Sequence, residues 1–188
     1  MTNREIHIIG GGTVFHVRPH VALSAPAYGN TARTLRRILL SQGSKNVHLH
    51  LTKMAGGDSL ETNEDVAKLI DSLVADEAPK IIFMNAALCD FEGQVVGPDG
   101  SGDLTPSGKG EPRLKTAEGT VRIELSPAEK VLSRIRKTRK DIFLIAFKTT
   151  AGATPEEQFQ VGMRLLKKNS CNLVLANDVH TRHNMILT

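Results

Sequence analysis

Apolar positions along this chain fall into two alternating rhythms. Residues 5–9 are apolar-biased, and "NVHLHL" at 46–51 alternates apolar with polar. "KIIFMNAAL" at 80–88, "DIFLIAF" at 141–147 and "NLVLAND" at 172–178 are compact apolar runs of the kind that fill central parallel strands. Between them the spacing changes to three and four. Leu35, Ile38 and Leu39 predict a helix over 29–42 that stops at Gly43, and Val66, Leu69, Ile70 and Leu73 share one face of a helix within 61–78. Ser126, Pro127 and Glu129 read as a helix start with a capping box, and Thr154 with Pro155 reads as another. Strand and helix in alternation predict an α/β fold with a mostly parallel sheet and helices on both faces. Ligands of such sheets lie beyond the carboxyl ends of the strands.

One stretch breaks the rhythm. From Asp90 to Pro112 there are six glycines and three prolines, too many turn formers for a helix or an inner strand, so a long loop is expected. "RLKTAEGTVRIEL" at 113–125 then reads as a hairpin turning near Glu118 and Gly119, because Val121, Ile123 and Leu125 alternate with polar residues. Residues 90–125 are thus expected to form a flap and hairpin, reaching over the site or across to a partner subunit. No internal repeat is visible. With 188 residues in all, a single domain over 1–188 is expected.

Composition narrows the classes. No run is apolar over the ~18 residues of a membrane span, and the first residues lack the pattern of a secretory signal, so a soluble, cytoplasmic protein is expected. Two cysteines, Cys89 and Cys171, sit in apolar segments and read as buried reduced thiols. The net charge of +4 raises nucleic acid as a partner, but with no tryptophan and one tyrosine there is little to stack on bases, and nucleic acid is not expected. A small anionic ligand accounts for the basicity equally well. Among the seven histidines, His16, His20, His48 and His50 have no cysteine or carboxylate at metal-ligand spacing.

The candidate chemistry gathers at the ends of the strands. Gly10, Gly11, Gly12 and Thr13 offer a run of backbone N–H groups with no side chains in the way, either a phosphate cradle or a plain tight turn. The motif fits neither the dinucleotide fingerprint nor the Walker pattern. Asp90, just past a buried strand, is placed to hold magnesium or to accept from a ligand. Arg113 and Lys115, two apart on an extended segment, are placed to clamp phosphates. Asn85–Asp90, Phe147–Thr150 and the pair Asn177 and Asp178 end strands with polar residues and are expected to meet the glycines at one crevice.

Taken in order, five of these segments resemble a known family, the phosphopantothenate:cysteine ligases of coenzyme A biosynthesis. "IIGGGT" is similar to the family's glycine-glycine-threonine end of the first strand, "NAALCDF" to its Ala-Ala-Val-Ala-Asp-Tyr, and "RLKT" to its Lys-x-Lys-Lys. "LIAFKTT" is similar to its Gly-Phe-Lys-Ala-Glu-Thr, and "NLVLANDV" to its closing Ala-Asn-Asp-Val. The resemblance implies a three-layer, modified Rossmann-like fold with an added hairpin or flap, usually dimeric. It also implies an enzyme that uses CTP or ATP with Mg2+ to activate the carboxylate of phosphopantothenate as an acyl-nucleotide, which cysteine then attacks to form an amide. It assigns Gly10, Gly11, Gly12, Thr13 and the loop from Ser24 to Gly29 to phosphates, Ala86, Ala87, Phe147 and Lys148 to the nucleotide, and Asp90 to the metal or nucleotide. Arg113 and Lys115 would assist catalysis, and Asn177 and Asp178 would close the crevice.

Three departures accompany it. "VALSAPAYG" stands for the family's Ser-Asn-x-Ser-Ser-Gly-x-x-Gly, with Ala22 taken at the position of an asparagine that handles the intermediate. Arg113 and Thr116 replace two lysines, and Thr150 stands where glutamate is common. No flavin-binding segment is present within these residues, and no flavin is expected. Two other readings stay open here: a nucleotide-binding protein without ligase activity, and an enzyme using the same phosphate site on another substrate.

Overall fold

The computed structural model describes residues 4–97 and 102–188, so residues 98–101 of the expected flap lie outside the described part. In chain order the elements are β1 (Glu5–Gly12), β2 (Val14–Arg18), β3 (Val21–Ser24), α1 (Asn30–Ser41), β4 (Val47–Leu51), α2 (Asn63–Ala75), β5 (Lys80–Ala87), β6 (Phe91–Val96) and β7 (Leu104–Thr105). There follow β8 (Ile123–Pro127), α3 (Leu132–Thr138), β9 (Phe143–Thr150), α4 (Pro155–Asn169), β10 (Leu173–Asp178) and β11 (Asn184–Leu187). The main sheet has the order β11-β10-β9-β5-β1-β4, parallel except for β11. The order reverses between β1 and β5, the switch point at which such sheets open a crevice.

Helices cover both faces, as the alternation predicts, but unequally. The step from β1 to β4 runs opposite to every later step, so right-handed crossovers put α1 on one face and α2, α3 and α4 on the other. The larger core joins Ile70, Ile135 and Val131 to Ile9, Ile82, Leu144 and Val174, all at or near zero exposure. The smaller one seats Ala32 of α1 on Ile8 and Val47. Both cysteines are free and buried, as expected.

The glycines differ from expectation in an informative way. β1 does not end before them: it continues to Gly12, in register with β5 as far as Gly12 opposite Ala87. Nor does a plain loop lead to α1, since Val14 to Ser24 forms the β2–β3 hairpin. What the missing side chains permit is close packing. A Cβ on Gly10 would lie 2.3 Å from the Ala32 methyl, one on Gly11 2.1 Å from the Thr52 hydroxyl, and one on Gly12 2.0 Å from the Ala25 carbonyl oxygen. Gly11 also has φ near 106°, which only glycine adopts freely.

The flap region is a separate three-stranded sheet in the order β7-β6-β8. Two expectations fail here. The partner of β8 is β6 rather than residues 113–117, so "RLKTAEGTVRIEL" is no hairpin, although its turn does fall at Gly119. β6 was hidden by Gly93, whose missing Cβ makes room for Ile123, Leu23 and Leu125. The capping box expected at Ser126 does not form either. Ser126 and Pro127 pair with Glu92 and Phe91 at the end of β8, and α3 starts only at Leu132. By contrast, Thr154 and Glu157 make the full box at the start of α4. The loop after β7 folds back on β2: Arg18 donates to the Pro106 carbonyl and the Thr105 hydroxyl, and the Gly108 N–H donates to the Val17 carbonyl.

At the far end of the carboxyl edge, Asp178 fixes two loops at once. Its buried carboxylate accepts from the Thr150 hydroxyl and from the N–H groups of Gly152, Ala153, His180 and Thr181.

Two tests follow from these contacts. Gly10→Ala should cost about 1–3 kcal/mol through overpacking, read as a lowered urea midpoint. Gly110→Ala, with open space around it, should leave the midpoint within error. Adding Ala32→Gly to Gly10→Ala should recover part of the loss; no loss in the first variant refutes the packing argument. For Asp178, the Thr181 N–H foremost, then those of Ala153 and Gly152 and the Thr150 hydroxyl, hold the carboxyl far below its usual 3.8. A depressed carboxyl stabilises the fold fully above its unfolded value and less as pH falls through the folded one. Asp178→Asn should therefore lower the thermal midpoint at pH 7 and narrow its gap from wild type as the solution is taken below pH ~3. A gap that widens on acidification would refute this.

Candidate functional site

Gly10–Gly12, Ala86 and Ala87 lie side by side at the carboxyl ends of β1 and β5, the switch point of the sheet. β9 and β10 extend the same edge with Lys148 opposite Ala176, Thr149 opposite Asn177 and Thr150 opposite Asp178. The four strand ends that looked specific in sequence thus share one rim. Alternation along a strand divides them between faces. Ala86 packs with the large core on the α2–α4 side, and Lys148 follows buried Ala146 of that core at a spacing of two. Phe147 falls on the opposite, α1 side.

Much of the hydrogen-bonding capacity at this rim is used internally. The Gly12 N–H donates to the Ala27 carbonyl (2.7 Å) and the Thr13 N–H to the Ala87 carbonyl (3.0 Å). Beneath them is a knot that sequence reasoning missed. The Thr13 hydroxyl donates to Asn63 Oδ1 at 2.7 Å, the Cys89 N–H donates to the Thr13 Oγ1 at 3.0 Å, and Asn63 Nδ2 returns a bond to the Cys89 carbonyl at 2.8 Å. The first residue of α2 thereby ties together the ends of β1 and β5. No spacing rule links residues 13, 63 and 89, so no local signal marked Asn63.

Other assigned residues are placed as follows. Ser24 is exposed at the end of β3, and Gly29 is buried with φ 72° just ahead of α1. Arg33, Arg36 and Arg37 are all exposed on α1; Arg33 donates to the Tyr28 and Ala55 carbonyls. Asn177 accepts from the Thr149 hydroxyl at 3.0 Å, and Asp178 is saturated by its five donors. Arg113 is exposed, and Lys115 is exposed and 3.9 Å from Glu118. Among the described residues, no hydrogen bond or ion pair joins either to the glycine end of β1. Ala22 is an exposed residue of β3 opposite His16. The residue of that stretch that lies against the glycines is Ala25, whose N–H donates to the Thr13 carbonyl and whose carbonyl oxygen overlies Gly12.

For a metal the donor set is sparse. Asp90 is exposed and ion-paired with Lys130, and among the described residues no group of three or more His, Cys, Asp or Glu side chains is arranged to hold an ion. Such a set fits a cation carried on a nucleotide's phosphates and touched by one carboxylate, which is how Mg2+ is usually held, and does not fit a cage built by the protein. The histidines find ordinary partners: His7 bonds His50 at 3.0 Å, His16 bonds Glu61, and His183 bonds Gln158. Burial pushes His50 down to about 4 and lowers His7 as well. One polar atom stands apart. The Thr52 hydroxyl is buried without a partner among the described residues, directly against Gly11.

No family model matches the chain. Among curated proteins it is 24% identical over 118 residues to the coenzyme A biosynthesis bifunctional protein CoaBC of Thermococcus kodakarensis, a stretch that is 63% of this chain and 26% of that protein. The chain therefore spans about a quarter of the length of that relative. Among solved structures, the DNA/pantothenate metabolism flavoprotein of Streptococcus pneumoniae superposes with a TM-score of 0.80 at 17% identity, over 98% of this chain and 92% of that one. A Cab2 variant in complex with phosphopantothenate-cysteine gives 0.66 at 16%, over 100% and 77% of the two chains. The C-terminal domain of CoaBC gives 0.61 at 14%, over 100% and 89%. The chain thus has the Rossmann-like α/β fold of these solved structures.

Proposed function

We propose that this protein is a nucleotide-dependent ligase of the phosphopantothenate–cysteine type, acting in coenzyme A biosynthesis. The observation that carries the reading is the full-length likeness of fold combined with the position of the motifs. The glycine end of β1, the Ala86–Ala87 end of β5 and the Phe147–Lys148 end of β9 all lie on the carboxyl rim of that sheet.

In the first step a carboxylate oxygen of the acid attacks the α-phosphorus of CTP or ATP. The bond from that phosphorus to the bridging oxygen breaks, and pyrophosphate leaves with the electron pair. In the second, the amine nitrogen of cysteine attacks the acyl carbon, the C–O bond to the nucleotide breaks, and the nitrogen loses a proton. The rim binds and orients: the packing on Gly10–Gly12 fixes the strand end, and Ala87 and Phe147, on the α1 side of the sheet, would leave room for the base and offer it an apolar face. Bound Mg2+, with Asp90 as a carboxylate in reach, would neutralise charge on the phosphates. Arg113 and Lys115 are exposed cations on the segment beyond the flap and would supply further positive charge. Saturated as it is, Asp178 shapes the rim rather than meeting the ligand.

The test is pyrophosphate release with CTP or ATP, Mg2+ and phosphopantothenate, with and without cysteine. Release without cysteine is expected, with amide formation as the slow half. The methyl of Ala22, at the position the resemblance gives to an asparagine, lacks the donor an asparagine supplies, and one lost donor at such a site slows a step roughly 100- to 1,000-fold. Ala22→Asn should raise cysteine-dependent turnover; amide formation in the unaltered protein as fast as pyrophosphate release would refute this reading of Ala22. Nucleotide binding without pyrophosphate release would reject the ligase reading in favour of a silent nucleotide-binding protein.

The same reading includes a homodimer formed through the small sheet. Phe91, Ile123 and Leu125 are 47%, 36% and 49% exposed on neighbouring positions of β6 and β8, a clustering that marks interaction surfaces. Light scattering should give twice the chain mass at micromolar concentration and the single mass for Leu125→Glu. A monomeric wild type would refute it.

A further inference from the structure

Close to the glycine rim, four elements send charged groups to one point. Glu61, just ahead of α2, accepts from Lys109 of the flap loop at 2.7 Å, from Lys53 after β4 at 3.0 Å, and from His16 on β2 at 3.0 Å. Backbone bonds fix the place: the Val14 N–H donates to the Glu61 carbonyl, the Lys53 N–H to the Leu60 carbonyl, and the Thr52 N–H to the Gly10 carbonyl. The cluster therefore stands one or two residues from Gly10 and Thr13. Lys109 is set by the loop that Arg18 and Ser107 tie down, Ser107 through the Gly93 carbonyl.

The charges do not balance. Two ammonium groups and an imidazole surround a single carboxylate, which they hold down to about 2, Lys109 foremost. A strap between loop and helix needs one cation; a second ammonium beside the first adds repulsion that one carboxylate only partly offsets. Exposure is arranged for exchange. The lysine side chains are 50% and 55% exposed, while Glu61 is tucked in at 21%. The ammonium groups can thus turn toward an incoming anion without unfolding anything.

We infer that Lys53, Lys109 and His16 form a binding site for an oxyanion of the substrate, a carboxylate or a phosphate, with Glu61 as its internal stand-in. Ligand and Glu61 compete for the two ammonium groups, and the surplus positive charge favours taking up a second anion. The inference deepens the ligase reading by naming where an acidic substrate is held, but binding alone tests it, without nucleotide or turnover.

The experiment is calorimetric titration at low salt with inorganic phosphate in one arm and pantothenate, which has a carboxylate and no phosphate, in the other. Lys53→Ala and Lys109→Ala should each weaken binding about five-fold, and Glu61→Gln should tighten it about three- to five-fold, the range for partly exposed charge pairs. Lys168→Ala, on an exposed residue at the end of α4, controls for net charge and should change nothing. Tightening in the phosphate arm alone assigns the site to a phosphate, and in the pantothenate arm alone to a carboxylate. If Glu61→Gln weakens binding or leaves it unchanged in both arms, the cluster is an ion-pair strap and the inference is wrong. Should Glu61→Gln fail to fold, as judged by its thermal transition, the two lysine variants decide: unchanged binding in both overturns the site. Failure of nucleotide to bind would remove the ligase reading and leave this result standing.

Discussion

The closeness of backbone at the end of β1 is the constraint on which the rest of this structure depends. Three successive residues without side chains let three separate pieces of chain come to rest on one strand end. α1 lies on Gly10 through Ala32, the turn after β4 lies on Gly11 through Thr52 and Ala55, and residues 25–27 lie on Gly12. Each approach is closer than any Cβ tolerates, so the three contacts require glycine for the same steric reason. Thr13 then locks the arrangement, since its hydroxyl joins Asn63 and Cys89 and binds the start of α2 to the ends of β1 and β5. The switch point of the sheet is narrow because of this packing and rigid because of this knot. A rigid rim lets a few backbone groups and small side chains position a ligand without the cost of ordering them on binding.

The main sheet was legible because its signal is periodic and redundant. Strands 5–9, 46–51, 80–88, 141–147 and 172–178 and the helices at 29–42 and within 61–78 each repeat one pattern over enough residues to outvote local exceptions. Several of the failures occur where one residue type serves two physical purposes. Glycine marks a turn or a close approach: Gly119 is the first, while Gly10, Gly12 and Gly93 are the second. Ser-Pro-x-Glu marks a helix start or the end of an edge strand. At Ser126 the ladder to β6 wins, because the strand is already paired when the chain reaches Pro127, which as an edge residue forfeits no ladder bond. Of the site, the residues at strand ends were legible and the long-range partners were not. Asn63, Glu61 and Lys109 reach the rim only through the fold.

Asp178 and Glu61 show how differently two depressed carboxylates can be used. Asp178 is surrounded mainly by backbone N–H groups, whose positions are fixed by the loops they belong to, so its charge is spent on holding those loops. Releasing it would leave several donors without partners, each at a cost of about 1–3 kcal/mol. Glu61 is surrounded by flexible side chains that are half in water. Its partners give up little by turning elsewhere, because exposed ion pairs are worth at most about 1 kcal/mol each. A low carboxyl pKa therefore does not by itself distinguish a structural group from an exchangeable one. The rigidity and solvation of its partners do.

The Thr52 hydroxyl gives the same distinction from the opposite side. It is a buried donor with no partner among the described residues, held against Gly11 by the packing that defines the rim. A native fold keeps such an atom where the surrounding structure over-determines its position, and here that position is set by the backbone bond from Thr52 to Gly10. The strand end therefore has unequal polar capacity: the Gly12 and Thr13 amides are already bonded within the chain, Thr52 is unspent, and Lys53 and Lys109 are shared with a carboxylate they can leave. A ligand arriving at this edge gains most from the groups whose present partners are weakest. That ordering directs an anionic group toward the lysines rather than toward the packed glycines beside them.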